Sequence, residues 1–219
     1  MDKMSSKGRC DSSEGVNYTF NILVIGKKRV GKTSFMESAG CKDVAGHEDY
    51  KQLIVKDIDS GCPVTLNFFD TYGGDKIANE NEMYKKAHCV LCIADITTPD
   101  GCDIFLRSYW HTKSRNRGGI PFIAFGNKSD LENIRAWSTK QARTDCDCGD
   151  IPYIEVSSKT GKNVQEGIRI VTDATLQWAK RYRATYETGD PFKDPEQNLA
   201  ADDDELAHDL NGGGCCIVS

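Results

Sequence analysis

The sequence predicts an α/β fold, a mostly parallel sheet with helices on both faces, and three observations carry that prediction. Six apolar runs of strand length recur, at residues 18–25, 53–58, 64–69, 89–94, 121–125 and 153–156. All but the second and third are separated by stretches long enough for a helix, the alternation that builds a parallel sheet covered on both sides. The first run leads into Gly26-Lys27-Lys28-Arg29-Val30-Gly31-Lys32-Thr33, which fits G-x-x-x-x-G-K-[ST] between a strand and a short helical stretch. Ligands of such sheets bind in loops beyond the carboxyl ends of the strands.

Each element follows from its residues. The run at 18–25 is strand-like, and the glycines after it let successive backbone N–H groups turn inward as a nest for phosphate oxygens. The helix opening at Lys32, Thr33 and Ser34 points its positive end at the same anion. Lys32 is expected to reach the β- and γ-phosphates and the Thr33 hydroxyl to ligate Mg²⁺. Gly26, Lys28, Arg29, Val30, Gly31 and Ser34 complete the predicted cradle. A glycine-rich turn that merely carries Lys-Thr is the bland alternative, disfavoured by the strand–loop–helix context. The runs at 53–58 and 64–69 flank Asp59-Ser60-Gly61, a hairpin turn that makes one edge strand antiparallel. The remaining runs bring the sheet to six strands. Val164, Ile168, Val171, Thr175 and Trp178 then recur at helical steps, with Asn163 as the expected N-cap. There is no internal repeat.

At 219 residues, 38% of them hydrophobic, the chain suffices for one compact domain plus a tail. Its charge is uneven. Residues 187–219 carry nine acidic residues and one Lys, so that against the overall −5 the first 186 residues carry +3. A nearly neutral body with an acidic tail argues against nucleic-acid binding, which needs a basic surface. No stretch approaches the roughly 20 apolar residues of a membrane span, and the polar, Ser-rich residues 1–15 do not read as a secretory signal. The ten cysteines are therefore expected as reduced thiols. Cys89-x-x-Cys92 and Cys146-x-Cys148 have near-metal spacing. In a strand, however, positions i and i+3 point to opposite faces, so core filling is the favoured reading of Cys89 and Cys92. After residue 186, Gly, Pro, Asp and Asn dominate, the composition of a disordered tether.

Asn127-Lys128-Ser129-Asp130 follows the fifth run directly, at the ligand-binding end of the sheet. An Asp there can accept two hydrogen bonds from guanine N1–H and the 2-amino group. Adenine offers neither donor and would leave a buried carboxylate unpaired. At these residues the sequence resembles a small GTPase of the Ras superfamily, in which N-K-x-D reads guanine; this weighs against a P-loop kinase or ATPase. The resemblance implies a single P-loop G domain over residues 17–185, after a flexible extension at 1–16 and before a disordered tail at 186–219. It also implies that Asn127 braces the base and that the Lys128 stem packs along the ring. Ser157-Ser158-Lys159 resembles the family's S-A-K loop, placing the Ser158 backbone N–H at guanine O6. Asp70-Thr71-Tyr72-Gly73 resembles D-x-x-G, with Asp70 holding Mg²⁺ through water and the Gly73 N–H meeting the γ-phosphate. Lys32, Thr33 and Gly73 are thus the expected catalytic set, and Thr33 and Asp70 the metal set. Met83-Tyr84-Lys85-Lys86-Ala87-His88 and Asp95-Ile96-Thr97 resemble segments of the Rab branch.

Several positions depart from the family pattern. Gly74 stands where a Gln usually orients the attacking water, and Tyr72 where a small Ala is usual. No Thr lies between Thr33 and Thr65 to serve as the first-switch Thr, and Ser38 sits too close to the first helix to replace it. The segment from Lys32 to Asp70 is a few residues short. Lys28 and Arg29 bring two cations into the phosphate loop; they either offset phosphate charge in cis or simply face solvent. These departures leave binding intact and put hydrolysis and switching in question.

The chain ends Gly214-Cys215-Cys216-Ile217-Val218-Ser219. Read from Cys216 this is a C-a-a-X prenylation signal; read from Cys215 it resembles the C-C-x-x-x ending of part of the Rab family. An acidic tail is repelled by an anionic leaflet, so stable anchoring requires two lipids. These are two geranylgeranyl groups, or farnesyl plus palmitoyl. The resemblance then implies a membrane-anchored Rab-like GTPase of vesicle traffic, with low intrinsic hydrolysis. Exchange factor, activating protein and effectors are expected at residues 41–51 and 73–82, and prenyl transferase at Cys215 and Cys216. The alternative is a guanine-nucleotide-binding scaffold that does not switch.

Overall fold

The computed structural model describes residues 18–56, 61, 63–71, 80–115 and 119–185. Two units divide the chain, residues 1–178, which hold the sheet, and residues 179–219. The expected extension and tail, together with Cys215 and Cys216, lie outside the described residues, as do Tyr72, Gly73, Gly74 and most of the 59–61 turn.

In chain order the elements are β1 (Tyr18–Ile25), α1 (Lys32–Ala39), β2 (Lys42–Val44), β3 (His47–Lys56), β4 (Pro63–Asp70), α2 (Glu80–Lys86), β5 (Cys89–Asp95), α3 (Asp103–Arg115), β6 (Phe122–Asn127), α4 (Thr139–Asp147), β7 (Tyr153–Glu155) and α5 (Val164–Thr185). They form one sheet of seven strands in the order β2-β3-β4-β1-β5-β6-β7. Pairings β1–β4, β1–β5, β5–β6 and β6–β7 are parallel; β2–β3 and β3–β4 are antiparallel. The predicted α/β architecture is therefore present, with one strand more than expected. The added strand, β2, is the three residues Lys-Asp-Val, too short and too polar to announce itself as an apolar run. For the same reason β3 begins six residues before the predicted run, because its first half is His-Glu-Asp-Tyr-Lys-Gln. In that half, Tyr50, Lys51 and Gln52 pair with Phe69, Phe68 and Asn67 of β4, and His47, Lys51 and Gln52 pair with β2.

Strands β5 and β6 are buried along their whole length, as strands covered on both faces must be. One face packs Leu23, Val90, Cys92, Phe105, Ala124 and Trp137 into a single core with α2, α3 and α4. On the other, Phe35 of α1 meets Phe125 edge-on at 5.3 Å, and a Cβ added to Gly167 of α5 would come within 2.8 Å of the Phe125 ring. The Cys89–Cys92 reading follows this geometry. Cys92 belongs to the first core, Cys89 faces Thr175 of α5, and burial pushes both thiols up to about 12. Cys146 is buried while Cys148 is exposed.

The start of α5 differs from expectation. Asn163 has φ 58°, and its side-chain amide donates to the Glu155 carbonyl at 2.8 Å instead of capping the helix. Among the described residues no helix is long and apolar enough to cross a membrane.

Candidate functional site

At the carboxyl end of β1 the chain makes two turns that require glycine. Gly26 has φ 146°, and a Cβ there would lie 2.2 Å from the Ile93 carbonyl oxygen. Gly31 has φ 94°, and its Cβ would lie 2.4 Å from Asn127 Nδ2. Between them Arg29 adopts φ 65°, so the backbone reverses its sense twice before α1 begins. Such alternation turns amide groups into one concavity, against which α1 sets its N-terminal end. Lys32 is 6% exposed and its Nζ donates to the carbonyls of Gly26 at 3.0 Å and Lys27 at 3.2 Å. Burial lowers its pKa, against the opposing pull of Asp70. Lys28, Arg29 and Ser34 are exposed, and Val30 is buried beneath them.

The Thr33 hydroxyl donates to Asp70 Oδ2 at 2.6 Å, joining the first turn of α1 to the end of β4. A hydroxyl and a carboxylate held together, with a buried ammonium one residue away, are the hard-oxygen donors and the counter-charge that a Mg²⁺–polyphosphate requires. Thr71 is buried and donates its N–H to the Val24 carbonyl at 3.3 Å.

Asn127, at the end of β6, ties three loops together. It is 1% exposed; Nδ2 donates to the Val30 carbonyl at 2.8 Å, and Oδ1 accepts from both Ser158 N and Ser158 Oγ at 3.0 Å. The Ser158 N–H expected at a base oxygen is thus directed to Asn127 here. The Asp130 carboxylate is half-exposed and oriented by Ser157, whose Oγ donates to Asp130 Oδ1 at 2.6 Å and accepts from Thr160 N at 3.1 Å. Lys159 is exposed on the same loop. Ser129 Oγ is buried without a partner among the described residues.

The predicted residues of both loops therefore come together, apart from Gly73, which lies outside the described residues. The first-switch segment takes a form the sequence did not suggest. Gly40, at φ 89°, closes α1, and only Gly40 and Cys41 separate that helix from β2. Asp43 pairs with Lys51 across the β2–β3 hairpin at 2.5 Å, and Ser38 remains within α1.

Three pairings around the site were not foreseen, although the sequence singles out Asp95 itself in the Asp95-Ile96-Thr97 segment. Asp95, closing β5, accepts from Lys128 Nζ at 2.5 Å; burial works to raise its pKa, but the bonds from Lys128 and Thr97 outweigh it and hold the carboxyl low. Asp100 pairs with Lys27. Glu155 gathers Arg135, Thr139 and Tyr153, which overcome its burial, keep it ionised and fix the loop leading out of Asp130. The acid at the end of a predicted strand and the Asp95-Ile96-Thr97 resemblance marked Asp95; Asp100 and Glu155 carried no such signal.

A strand, a glycine-made nest and a helix, with a hydroxyl–carboxylate pair on one side and Asn-Lys-Ser-Asp on the other, make up the arrangement of a phosphate-loop domain. A Ras-family model matches residues 21–177. The chain belongs to that family, as a small GTPase most like Rab. It is 30% identical to Ras-related protein Rab7 of Drosophila melanogaster over 171 residues, 71% of this chain and 80% of the relative. It is 28% identical to the Ypt/Rab-type GTPase Rab7 of Neurospora crassa over 188 residues, 80% and 88% of the two chains. Ras-related protein Rab-7a of Dictyostelium discoideum is 29% identical over 164 residues, 68% and 79%.

Proposed function

We propose that this chain is a Rab-like switch that binds GTP and GDP with Mg²⁺, hydrolyses GTP slowly and acts from a membrane in vesicle traffic. The Asn127 junction carries the reading, since one buried amide fixes the phosphate loop through Val30 and the base loop through Ser158. A nucleotide recognised at both ends needs those two loops at a set separation. Lys32, released from the Gly26 and Lys27 carbonyls, offsets charge on the β- and γ-phosphates, while Asp130 accepts the guanine N–H groups. Thr33 and Asp70 hold Mg²⁺, which when bound supplies Lewis-acid stabilisation of phosphate charge. Gly74 brings no side chain to orient water, hence the slow turnover. Exchange factor, activating protein and effectors act through residues 41–51 and 73–82. Cys215 and Cys216 carry two lipids that anchor the chain on the cytosolic face of an endomembrane or the plasma membrane; incorporation of labelled isoprenoid, lost in Cys215→Ser/Cys216→Ser, tests this.

Single-turnover hydrolysis of bound GTP, run beside nucleotide release at high and near-zero Mg²⁺, tests the main reading. Slow Mg²⁺-dependent turnover supports the switch. Retention without turnover at either Mg²⁺ level refutes it in favour of a scaffold that holds guanine nucleotide and does not switch. One observation favours that second reading: residues 42–44 already stand in the sheet as β2. Protease protection of residues 41–51 that differs between GDP and GTP speaks for the switch; identical protection speaks for the scaffold.

A further inference from the structure

We infer that the turn joining β5 to α3 is the clamp of the nucleotide site, with Asp95 and Asp100 as positioning residues that hold Lys128 of the base loop and Lys27 of the phosphate loop and thereby set how long a guanine nucleotide stays bound. The inference rests on the nucleotide-binding reading above and assigns retention to residues outside both nucleotide loops.

The turn is built as a rigid fixture. Asp95 is 5% exposed, and its Oδ1 accepts from Thr97 N at 2.9 Å and Thr97 Oγ1 at 2.7 Å, leaving Oδ2 aimed at Lys128 Nζ, 2.5 Å away. Its carbonyl accepts from Trp137 Nε1 at 3.2 Å and from Thr98 N at 3.2 Å. Gly101 lets the turn close; a Cβ there would meet Trp137 Nε1 at 2.3 Å and the Asp95 carbonyl oxygen at 2.6 Å. Ile96 N donates to the Asn127 carbonyl at 3.1 Å, so the turn is bonded to the backbone of the base loop as well.

Both lysines have the geometry of held groups. Lys128 sits at φ 66°, a conformation an L-residue adopts only when its surroundings impose it, and its side chain runs to Asp95. Lys27 reaches across 73 positions of sequence to Asp100. The Lys27 carbonyl is also one of the two oxygens on which Lys32 rests, so fixing the Lys27 side chain fixes a wall of the phosphate cradle. The two acids differ in setting. The Lys27–Asp100 pair is more than half exposed on both sides, whereas Asp95 is buried. Salt screens the first and barely touches the second. That difference separates a clamp from a mere contributor to stability.

The test is release of a fluorescent GDP analogue from the full chain, chased with unlabelled GDP, at low salt and at about 1 M salt. Asp100→Asn and Lys27→Gln should each speed release roughly two- to fivefold at low salt, the double variant no more than either single, and the effect should vanish at high salt. Asp95→Asn should speed release roughly tenfold or more at both salt levels, without an equal shift in analogue association. Should Asp95→Asn fail to fold, the charge-exchanged Lys27→Asp/Asp100→Lys protein decides, and its release should return toward wild type. Unchanged release in Asp100→Asn, Lys27→Gln and Asp95→Asn, release in the charge-exchanged protein as fast as in the single variants, or variants that lower only the unfolding midpoint, overturns the clamp. So does slower release from Asp100→Asn, which would make Lys27 a restrained phosphate ligand. A wild-type chain that fails to retain the analogue overturns the nucleotide-binding reading itself, and the clamp with it.

Discussion

Replacing Gly31 by Ala tests the physical core of the site, and its cost follows from the geometry. The added Cβ would stand 2.4 Å from Asn127 Nδ2, in a residue whose φ is 94°. The backbone share of the cost, a side chain in left-handed territory, is about 1–2 kcal/mol. The larger share comes from the amide that must yield. Asn127 is 1% exposed and bonded to Val30 O, Ser158 N and Ser158 Oγ, so it cannot move aside without leaving a buried polar group unpaired. That adds about 1–3 kcal/mol, for a total of roughly 2–5 kcal/mol, a large fraction of the ~5–15 kcal/mol that holds a domain together. With Asn127→Ala already present the clash partner is gone, and Gly31→Ala should then cost only the backbone share. The assay is urea unfolding followed by tryptophan fluorescence for wild type, both single variants and the double, at one fixed nucleotide concentration because ligand shifts the midpoint. Additivity of the two substitutions within about 0.5 kcal/mol would refute the coupling.

Thr33→Ala or Asp70→Asn should abolish most of the slowing of nucleotide release by Mg²⁺, so that the ratio of rates with and without the metal falls toward one; a preserved ratio would remove this pair from the metal site. Gly74→Gln should raise single-turnover GTP hydrolysis on the order of tenfold by orienting the attacking water. No gain would place the deficiency in the first switch. His88 accepts the Asn21 N–H through Nδ1 at 2.8 Å, and burial lowers its pKa from 6.5 to about 4. A base with a depressed folded pKa leaves stability intact above the unfolded value and costs stability as pH falls toward the folded one. Up to roughly 3 kcal/mol should therefore be lost between pH 6.5 and 4. Urea midpoints across that window should flatten in His88→Gln, and an equally steep loss in that variant would discount the histidine.

The phosphate loop and the Asn127–Asp130 segment were legible because each is a run of consecutive residues whose types dictate its chemistry. Gly26 and Gly31 turn the backbone, Lys32 and Thr33 carry the charge and the hydroxyl, and no distant residue is needed to see it. The parallel core strands were legible for a related reason, since burial on both faces leaves a continuous apolar run. The β2–β3 hairpin leaves no such mark. β2 is Lys-Asp-Val and the first six residues of β3 are His-Glu-Asp-Tyr-Lys-Gln, so ladder hydrogen bonds to a neighbouring strand settle their conformation.

The sequence by itself thus determined the fold class, the order of the elements other than β2, and where the glycine-rich turn and the Asn-Lys-Ser-Asp segment fall, because local spacing and burial period encode them. Only the tertiary structure decided which partners those loops take. It closed the first-switch segment into a hairpin, directed the Ser158 N–H to Asn127, and turned Asn163 out of its capping role. It also brought Asp95 to Lys128 across 33 positions and Asp100 to Lys27 across 73. The physical reason is separation along the chain: contacts between such distant residues exist only once the sheet has brought its strand ends to one edge.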